Sequence, residues 1–280
     1  MEKRDPIPSV ALTHGGKFHA DDVFSAALLR ILQPGIQIRR AFQVPEGFDG
    51  LVFDLGWGEF DHHQAGAPVR PNGVPYAAFG LLWRAFGERL LPPKEAARFD
   101  EKFIQPLDLD DNTGCGDPIA ALIADFNPLW DSDQTPDQCF AKAVAFAETI
   151  LRNRFAASGA IYRAYGVVKE ALARMEDKVL VLDVYLPWKP AVLDSPAEFV
   201  VYPSQRGGYS AQGVPVSDKC DDLRCPFPAS WAGKAPEELQ RLTSLPTLRF
   251  CHNSRFLIAA GTVEDAVAAC RLAQWAHRNR

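Results

Sequence analysis

Residues 51–64, Leu-Val-Phe-Asp-Leu-Gly-Trp-Gly-Glu-Phe-Asp-His-His-Gln, constrain the fold of this chain more than any other stretch. An apolar run ends at Asp54, Gly56 and Gly58 loosen the backbone, and Phe60 leads into the triplet Asp61-His62-His63. A strand that stops at a carboxylate and is followed within one loop by two imidazoles gathers ligands at the mouth of a sheet. Neighbouring side chains in an extended segment point to opposite sides, so His62 and His63 are expected to do different work. One can ligate a metal ion while the other faces a substrate.

The same pattern occurs upstream. Val10-Ala11-Leu12 ends at Thr13-His14-Gly15-Gly16-Lys17-Phe18-His19-Ala20-Asp21-Asp22, and residues 23–32 are apolar with helical spacing. Asp21 or Asp22 is expected as the helix N-cap, Pro34-Gly35 as its stop, and residues 36–42 as an edge strand. Helical spacing returns over 77–86 and 94–107, the latter leading into Asp108-Leu109-Asp110-Asp111-Asn112-Thr113-Gly114, which reads as an acidic turn. Alternating strands and helices predict an α/β fold whose mainly parallel sheet presents ligands at the carboxyl ends of its strands.

Residues 138–176 are alanine-rich and free of proline, and read as one or two helices. Beyond them the strand periodicity of 179–185 and 199–202, a turn at Arg206-Gly207-Gly208-Tyr209-Ser210, a short helix at 237–242, one or two strands in 248–260 and a helix over 263–277 predict a smaller α+β domain. The expected division is a metal-binding catalytic domain over 1–136, a helical connector over 137–177 and a substrate-binding domain over 178–280.

Thirty basic against 35 acidic residues give a net charge of −5, so any binding of nucleic acid must be confined to a site. The charged start, without an apolar h-region, and the lack of any run near 18 apolar residues predict a soluble, cytoplasmic protein with no membrane partner. Six dispersed cysteines lack the paired spacing of a zinc site and read as reduced thiols.

Collected together, the potential ligands are His14, His19, Asp21, Asp54, the Asp61-His62-His63 triplet, and Asp108 or Asp111. Imidazoles mixed with several hard carboxylates suit two divalent ions such as Mn²⁺, with Mg²⁺ as the other choice, better than a thiolate-rich zinc site. Each cluster alone is an ordinary loop, cap or turn. Three that follow strands of one sheet converge on one edge. No Gly-x-Ser-x-Gly elbow or His-Glu-x-x-His helix offers a rival chemistry.

The segments from Thr13 to Asp22, Val52-Phe53-Asp54-Leu55-Gly56 and Phe60-Asp61-His62-His63-Gln64 resemble, in that order, the MYG1 family (UPF0160) of the DHH phosphoesterase superfamily. The stretches 78–87, 108–112, 249–252 and 255–260 extend the resemblance over nearly the whole chain. It implies a DHH-type parallel-sheet domain with two Mn²⁺ or similar ions and a smaller domain that closes over substrate. Carried over by position, His14, His19 and Asp54 would hold one ion, and Asp21, Asp54, His62 and Asp108 or Asp111 the other. Asp108, which follows Leu107, is the preferred of that pair. His63 would face the substrate phosphate and Asp61 would orient a neighbouring imidazole. Gly15 stands where the family commonly has asparagine, Asp22 where it has glutamate, and Asp110 and Thr113 depart from its usual Asp-Ala-Ile-Asp-Asn-Gly.

In the second half, Arg206 beside two glycines offers a phosphate grip, and His252, Asn253 and Arg255 form a polar cluster between apolar flanks. The expected activity is a metal-dependent phosphodiesterase, a 3′-to-5′ exonuclease on RNA or short oligonucleotides. The acidic pI of about 5.7 leaves two alternatives, a phosphoesterase for a small nucleotide or phosphorylated metabolite and a non-catalytic metal- or nucleotide-binding regulator.

Overall fold

The computed structural model describes residues 6–279 and is α/β. Its internal packing divides the chain into two compact units, Met1–Gly159 and Ala160–Arg280. Among the described residues no helix is long and apolar enough to cross a membrane.

The first unit is built on three parallel strands, β1 (Val10–His14), β2 (Gln37–Ala41) and β3 (Leu51–Val52), in the order β2-β1-β3. His14 pairs with Ala41 and Leu12 with Val52, so β1 is central and β2 is an edge. Helix α1 (Ala20–Leu32) starts earlier than its sequence suggested: His19 is the N-cap, and Asp21 and Asp22 fall inside the first turn. Residues 20–29 are all buried, the apolar ones within the core and Asp21, Asp22 and Ser25 with them. Phe24 stacks on Phe79 with ring centroids 5.6 Å apart and meets Phe103 edge-on at 5.4 Å.

Helices α2 (Ala78–Phe86), α3 (Pro93–Phe99), α4 (Gln105–Thr113) and α5 (Pro118–Ala124) complete the packing around α1, together with the first turns of α6 (Pro136–Leu172). The alanine-rich stretch is thus a single helix, and the division between the units falls within it. The expected acidic turn after residue 107 is also helix. Pro106 opens α4 directly after a π-turn over Asp100–Ile104, and Gly114, at φ 65°, ends it in the left-handed region. Helix α5 carries its own start signal in Asp117-Pro118, an N-cap and N1 pair; the Asp117 carboxylate accepts hydrogen bonds from the Ile119 and Ala120 amides.

Two buried carboxylates satisfy the start of α2. Asp21 of α1 accepts from the Ala78 and Phe79 amides at 2.9 and 2.7 Å, and Asp108 of α4 accepts from the Gly80 amide at 3.2 Å. These are donors that a helix cannot satisfy for itself. Arg70 answers the charge of Asp108 at 2.7 Å and also bonds Asp100. Burial pushes the Asp108 carboxyl up to about 7, although the Arg70 guanidinium pulls it the other way.

The second unit holds a five-stranded sheet in the order β4-β5-β6-β8-β7. Its elements are β4 (Val179–Val181), α7 (Lys189–Val192), β5 (Phe199–Pro203), β6 (Tyr209–Gly213), α8 (Pro236–Thr243), β7 (Leu248–Cys251), β8 (Leu257–Ala260) and α9 (Val263–Arg278). Strand β4 stops four residues short of the expected 185. One face of the sheet packs on α8 and α9 through Phe199, Val201, Ala211, Ile258 and Ala260. On the other face Val168 and Ala171 of α6, with Trp188, Ala191 and Val192, cover Leu180, Val200 and Tyr202.

Two glycine substitutions separate close packing from backbone freedom. A Cβ on Gly80 would land on the Asp108 carboxylate, 2.9 Å from its Cγ and 2.6 Å from Arg70 Nη2. Gly80→Ala should therefore destabilise the protein by about 1–3 kcal/mol. A Cβ on Gly166 of α6 meets nothing within 4 Å, so Gly166→Ala should stabilise by up to about 1 kcal/mol. Urea unfolding midpoints should move in opposite directions.

Candidate metal centre

The carboxyl ends of β1 and β3 deliver the first ligand candidates. His14 is the last residue of β1. Asp54 lies two residues beyond β3 with φ 51°, a left-handed conformation that aspartate tolerates better than most residues. The chain leaves at Asp54 and returns: Phe53 and Phe60 form a parallel bridge, and the Asp54 amide donates to the Phe60 carbonyl at 2.9 Å. That closed loop sets Asp61-His62-His63 beside Asp54. The first turn of α1 adds Asp21 and Asp22, and α4 adds Asp111.

The two oxygens of Asp54 face different imidazoles. Oδ2 lies 3.3 Å from His14 Nε2, and Oδ1 lies 3.3 Å from His62 Nε2. His14 Nε2 is also 3.2 Å from Asp22 Oδ2, and His62 Nε2 is 3.2 Å from Asp111 Oδ2 and 3.9 Å from Asp21 Oδ2. Three groups suited to hold a metal ion result: His14 with Asp22 and Asp54, Asp21 with His62 and Asp111, and Asp54 with His62 and His63. The third group overlaps the first at Asp54 and the second at His62.

Asp61 organises the loop rather than joining these groups. Its Oδ1 accepts from the amides of His62 at 2.7 Å and His63 at 3.1 Å, and its Oδ2 accepts from the Trp57 amide at 2.6 Å. Oδ1 also sits 2.7 Å from His63 Nδ1, which leaves Nε2 of that half-exposed ring for another partner. Burial raises the Asp61 pKa, but His63 and these amides outweigh it and hold the carboxyl below its ordinary value. A cavity of about 570 Å³ opens beside the centre, lined in part by His19, His62, His63, Asp111 and Asn112.

The charge balance of the centre is unusual. Burial, then the negative charges of Asp54, Asp111 and Asp108, push Asp21 well above the ordinary carboxylate range. Burial also raises Asp22 and Asp111. Asp54 is driven up by burial but held at about 2 by the His14 and His62 imidazoles. Burial would disfavour a charged His14, yet Asp22 and Asp54 raise it to about 10; His62 is raised in the same way by Asp54 and Asp111. Four carboxylates thus compete for the positive charge of neighbouring imidazoles.

This donor set fits divalent cations. Asp54 Oδ1, Asp22 Oδ2 and His62 Nε2 are buried without an aligned hydrogen bond, although Asp54 Oδ1 and His62 Nε2 lie 3.3 Å apart and Asp22 Oδ2 lies 3.2 Å from His14 Nε2. Buried polar groups are normally paired, so converging atoms that do not pair point to a cation between them.

The other sequence candidates fall in different places. Asp108, one helical turn before Asp111, is engaged by Arg70 and Gly80 and belongs to none of the three groups. His19 lines the cavity with its ring 5.8 Å from that of His14 and is likewise outside them. Asp22, read from the sequence only as a cap, does two things at once: Oδ1 accepts from the His19 amide at 2.8 Å and Oδ2 faces His14. A second acid directly after Asp21 was the available signal. In the second unit, Arg206 lies on the β5–β6 hairpin, whereas His252 and Arg255 form the β7–β8 turn, with the Arg255 amide donating to the His252 carbonyl at 2.8 Å. Tyr209 pairs with Ala260 and Gln212 with Leu257, so the two turns mark opposite ends of β8.

The sequence model of MYG1_exonuc, described as an uncharacterised protein family (UPF0160), matches residues 10–274. A MYG1 protein of Schizosaccharomyces pombe is 26% identical, with 93% of this chain and 96% of that protein covered. A protein of Homo sapiens named MYG1 exonuclease is 27% identical over 92% of this chain and 84% of its own length. A MYG1 protein of Chlamydia pneumoniae is 28% identical, covering 95% and 97%. No solved structure matches the chain.

Metal binding can be read without any assay of activity. Mn²⁺ at about 100 times its Kd should add about 2.7 kcal/mol of stability, seen as a rise in Tm. Asp54→Asn and Asp111→Asn should lose most of that rise, and Asp108→Asn should keep it.

Proposed function

This chain belongs to the MYG1 family, and from that premise and the geometry of its metal centre we propose a DHH-type, metal-dependent phosphodiesterase that acts as a 3′-to-5′ exonuclease on RNA or short oligonucleotides. The observation that carries the reading is the Asp54 carboxylate, whose two oxygens face separate imidazoles 3.3 Å away on either side, as a carboxylate shared by two ions must. The name MYG1 exonuclease carried by the human relative supports a nuclease.

Asp54 is the shared ligand in this scheme. His14 and Asp22 would hold one ion with His19 alongside, and Asp21, His62 and Asp111 would hold the other. Asp108 is relieved of a ligand's role by its bond to Arg70. Mn²⁺, or Mg²⁺, suits these hard oxygen and imidazole donors. When bound, such a pair supplies a water acidic enough to be deprotonated near neutral pH and positive charge for the phosphoryl oxygens.

The rest of the work belongs to the chain. Asp61 accepts a hydrogen bond from His63 Nδ1 and fixes the ring at the cavity wall, which leaves Nε2 to meet a phosphate oxygen. Buried walls around Asp54 and Asp21 keep bulk water away from the carboxylates. No side-chain nucleophile takes part, so the phosphoester is cleaved by direct attack of water.

A 5′-labelled short RNA with Mn²⁺ should shorten stepwise from its 3′ end, and a chelator should stop it. Asp54→Ala and Asp111→Ala should reduce the rate to background. Asp61→Asn should lower kcat by about 10–100-fold, the usual effect of losing an orienting partner. Rapid hydrolysis of a mononucleotide bisphosphate with RNA left intact would replace the exonuclease reading by that of a small-molecule phosphoesterase. Binding of both substrate classes without cleavage of either would mark a regulator instead.

A further inference from the structure

The sheet of the second unit is covered unevenly. On the face opposite α8 and α9, apolar cover lies over Leu180, Leu182, Val200 and Tyr202, the β4–β5 half. Over β6, β8 and β7 the same face instead forms a groove of about 700 Å³. Register places Tyr202 beside Ser210, Ser210 beside Ala259 and Ala259 beside Phe250, one row across four strands. The two middle residues are small and the two outer ones aromatic. Three strand spacings, about 14 Å, separate the aromatic walls.

The rim adds to this. Tyr185 is 59% exposed and its ring lies 5.1 Å from that of Tyr202, and Phe250 is 43% exposed. Arg206 on the β5–β6 hairpin and Arg249 on β7 close one end. The Arg249 guanidinium donates to the Gly207 carbonyl, which ties the hairpin to the far strand. No carboxylate lines the groove, in a chain whose net charge is −5.

A ligand for this surface needs flat π faces and negative charge together. An acidic peptide would use the arginines and leave the aromatic row idle, and a neutral sugar would stack without need of the arginines. Single-stranded nucleic acid uses both, since bases stack on aromatic side chains while phosphates meet guanidinium groups. We propose that this groove is a binding site for single-stranded oligonucleotide, with bases on Tyr185 and Phe250, Tyr202 backing the Tyr185 ring, and phosphates at Arg206 and Arg249. It rests on the nuclease reading above for the identity of the ligand, and it assigns the strand-holding role to residues of the second unit.

The test uses the full chain and a 5′-fluorescein-labelled 12-nucleotide oligouridine, with anisotropy read in excess chelator so that nothing is cleaved. Arg206→Ala/Phe250→Ala, both at exposed positions and checked for an unchanged Tm, should raise Kd at least about 10-fold. Phe250→Trp, which keeps a π face, should bind as tightly as the wild type. An unchanged Kd in the double variant would overturn the groove, even where the wild type shortens RNA with Mn²⁺. The converse, no shortening by the wild type but chelator-resistant binding that the double variant loses, would overturn the nuclease reading and sustain the groove. A polyglutamate peptide that displaces the RNA at equal concentration would overturn the assignment in favour of an acidic polypeptide.

Discussion

Buried negative charge is the constraint on which the first unit depends. Asp21, Asp22, Asp54, Asp61 and Asp108 are all withdrawn from solvent, and each unpaired carboxylate there would destabilise the fold by several kcal/mol. The structure answers them differently. Asp21 is met by the open start of α2, Asp108 by Arg70 and the Gly80 amide, and Asp61 by three backbone amides of its own loop. Asp54 is answered only by imidazoles, with Asp111 beside it in the same state. Asp61 and Asp108, with backbone or guanidinium partners, hold the scaffold, whereas Asp21 and Asp22 each meet a backbone amide and also face an imidazole of the candidate metal centre.

The parallel sheet explains why the second group sits together. Strand ends lie at one edge because every strand runs the same way, and the loops that follow β1 and β3 must both begin there. The loop after β3 is unusual in closing on itself through the Phe53–Phe60 bridge, and the left-handed backbone at Asp54 makes that reversal. Strain held at Asp54 is tolerable because the loop around it is fixed at several points: Asp61 holds it at Trp57, His62 and His63.

The second unit uses a sheet to a different end. Helices α8 and α9 cover most of one face, whereas small side chains at Ser210 and Ala259 open the other between aromatic neighbours. An apolar half-face that is neither filled nor lined by carboxylates is a surface built for recognition rather than for stability.

Much of this was written in local sequence. The strand–loop–helix alternation, the ends of β1 and β3, the long helix from Pro136 and the gathering of His14, Asp21, Asp54 and His62 all follow from periodicity and residue type, which short-range physics sets. What eluded the sequence depended on partners far along the chain. Asp108 and Asp111 stand one helical turn apart in the same acidic stretch, and only the packing of α4 against α2 gives the first to Arg70 and the second to His62. Asp22 looked like a cap because one of its oxygens is one; the other meets His14 across a loop. The clusters Arg206 and His252–Arg255 resembled each other on paper, and β-sheet register put them at opposite ends of a strand. Sequence alone determined which residue types could bind metal and which segments would carry them, since those depend on chemistry and periodicity. Tertiary structure decided which carboxylate faces which partner, because a hydrogen bond or ion pair needs its two atoms within about 3–4 Å and local sequence does not set those distances.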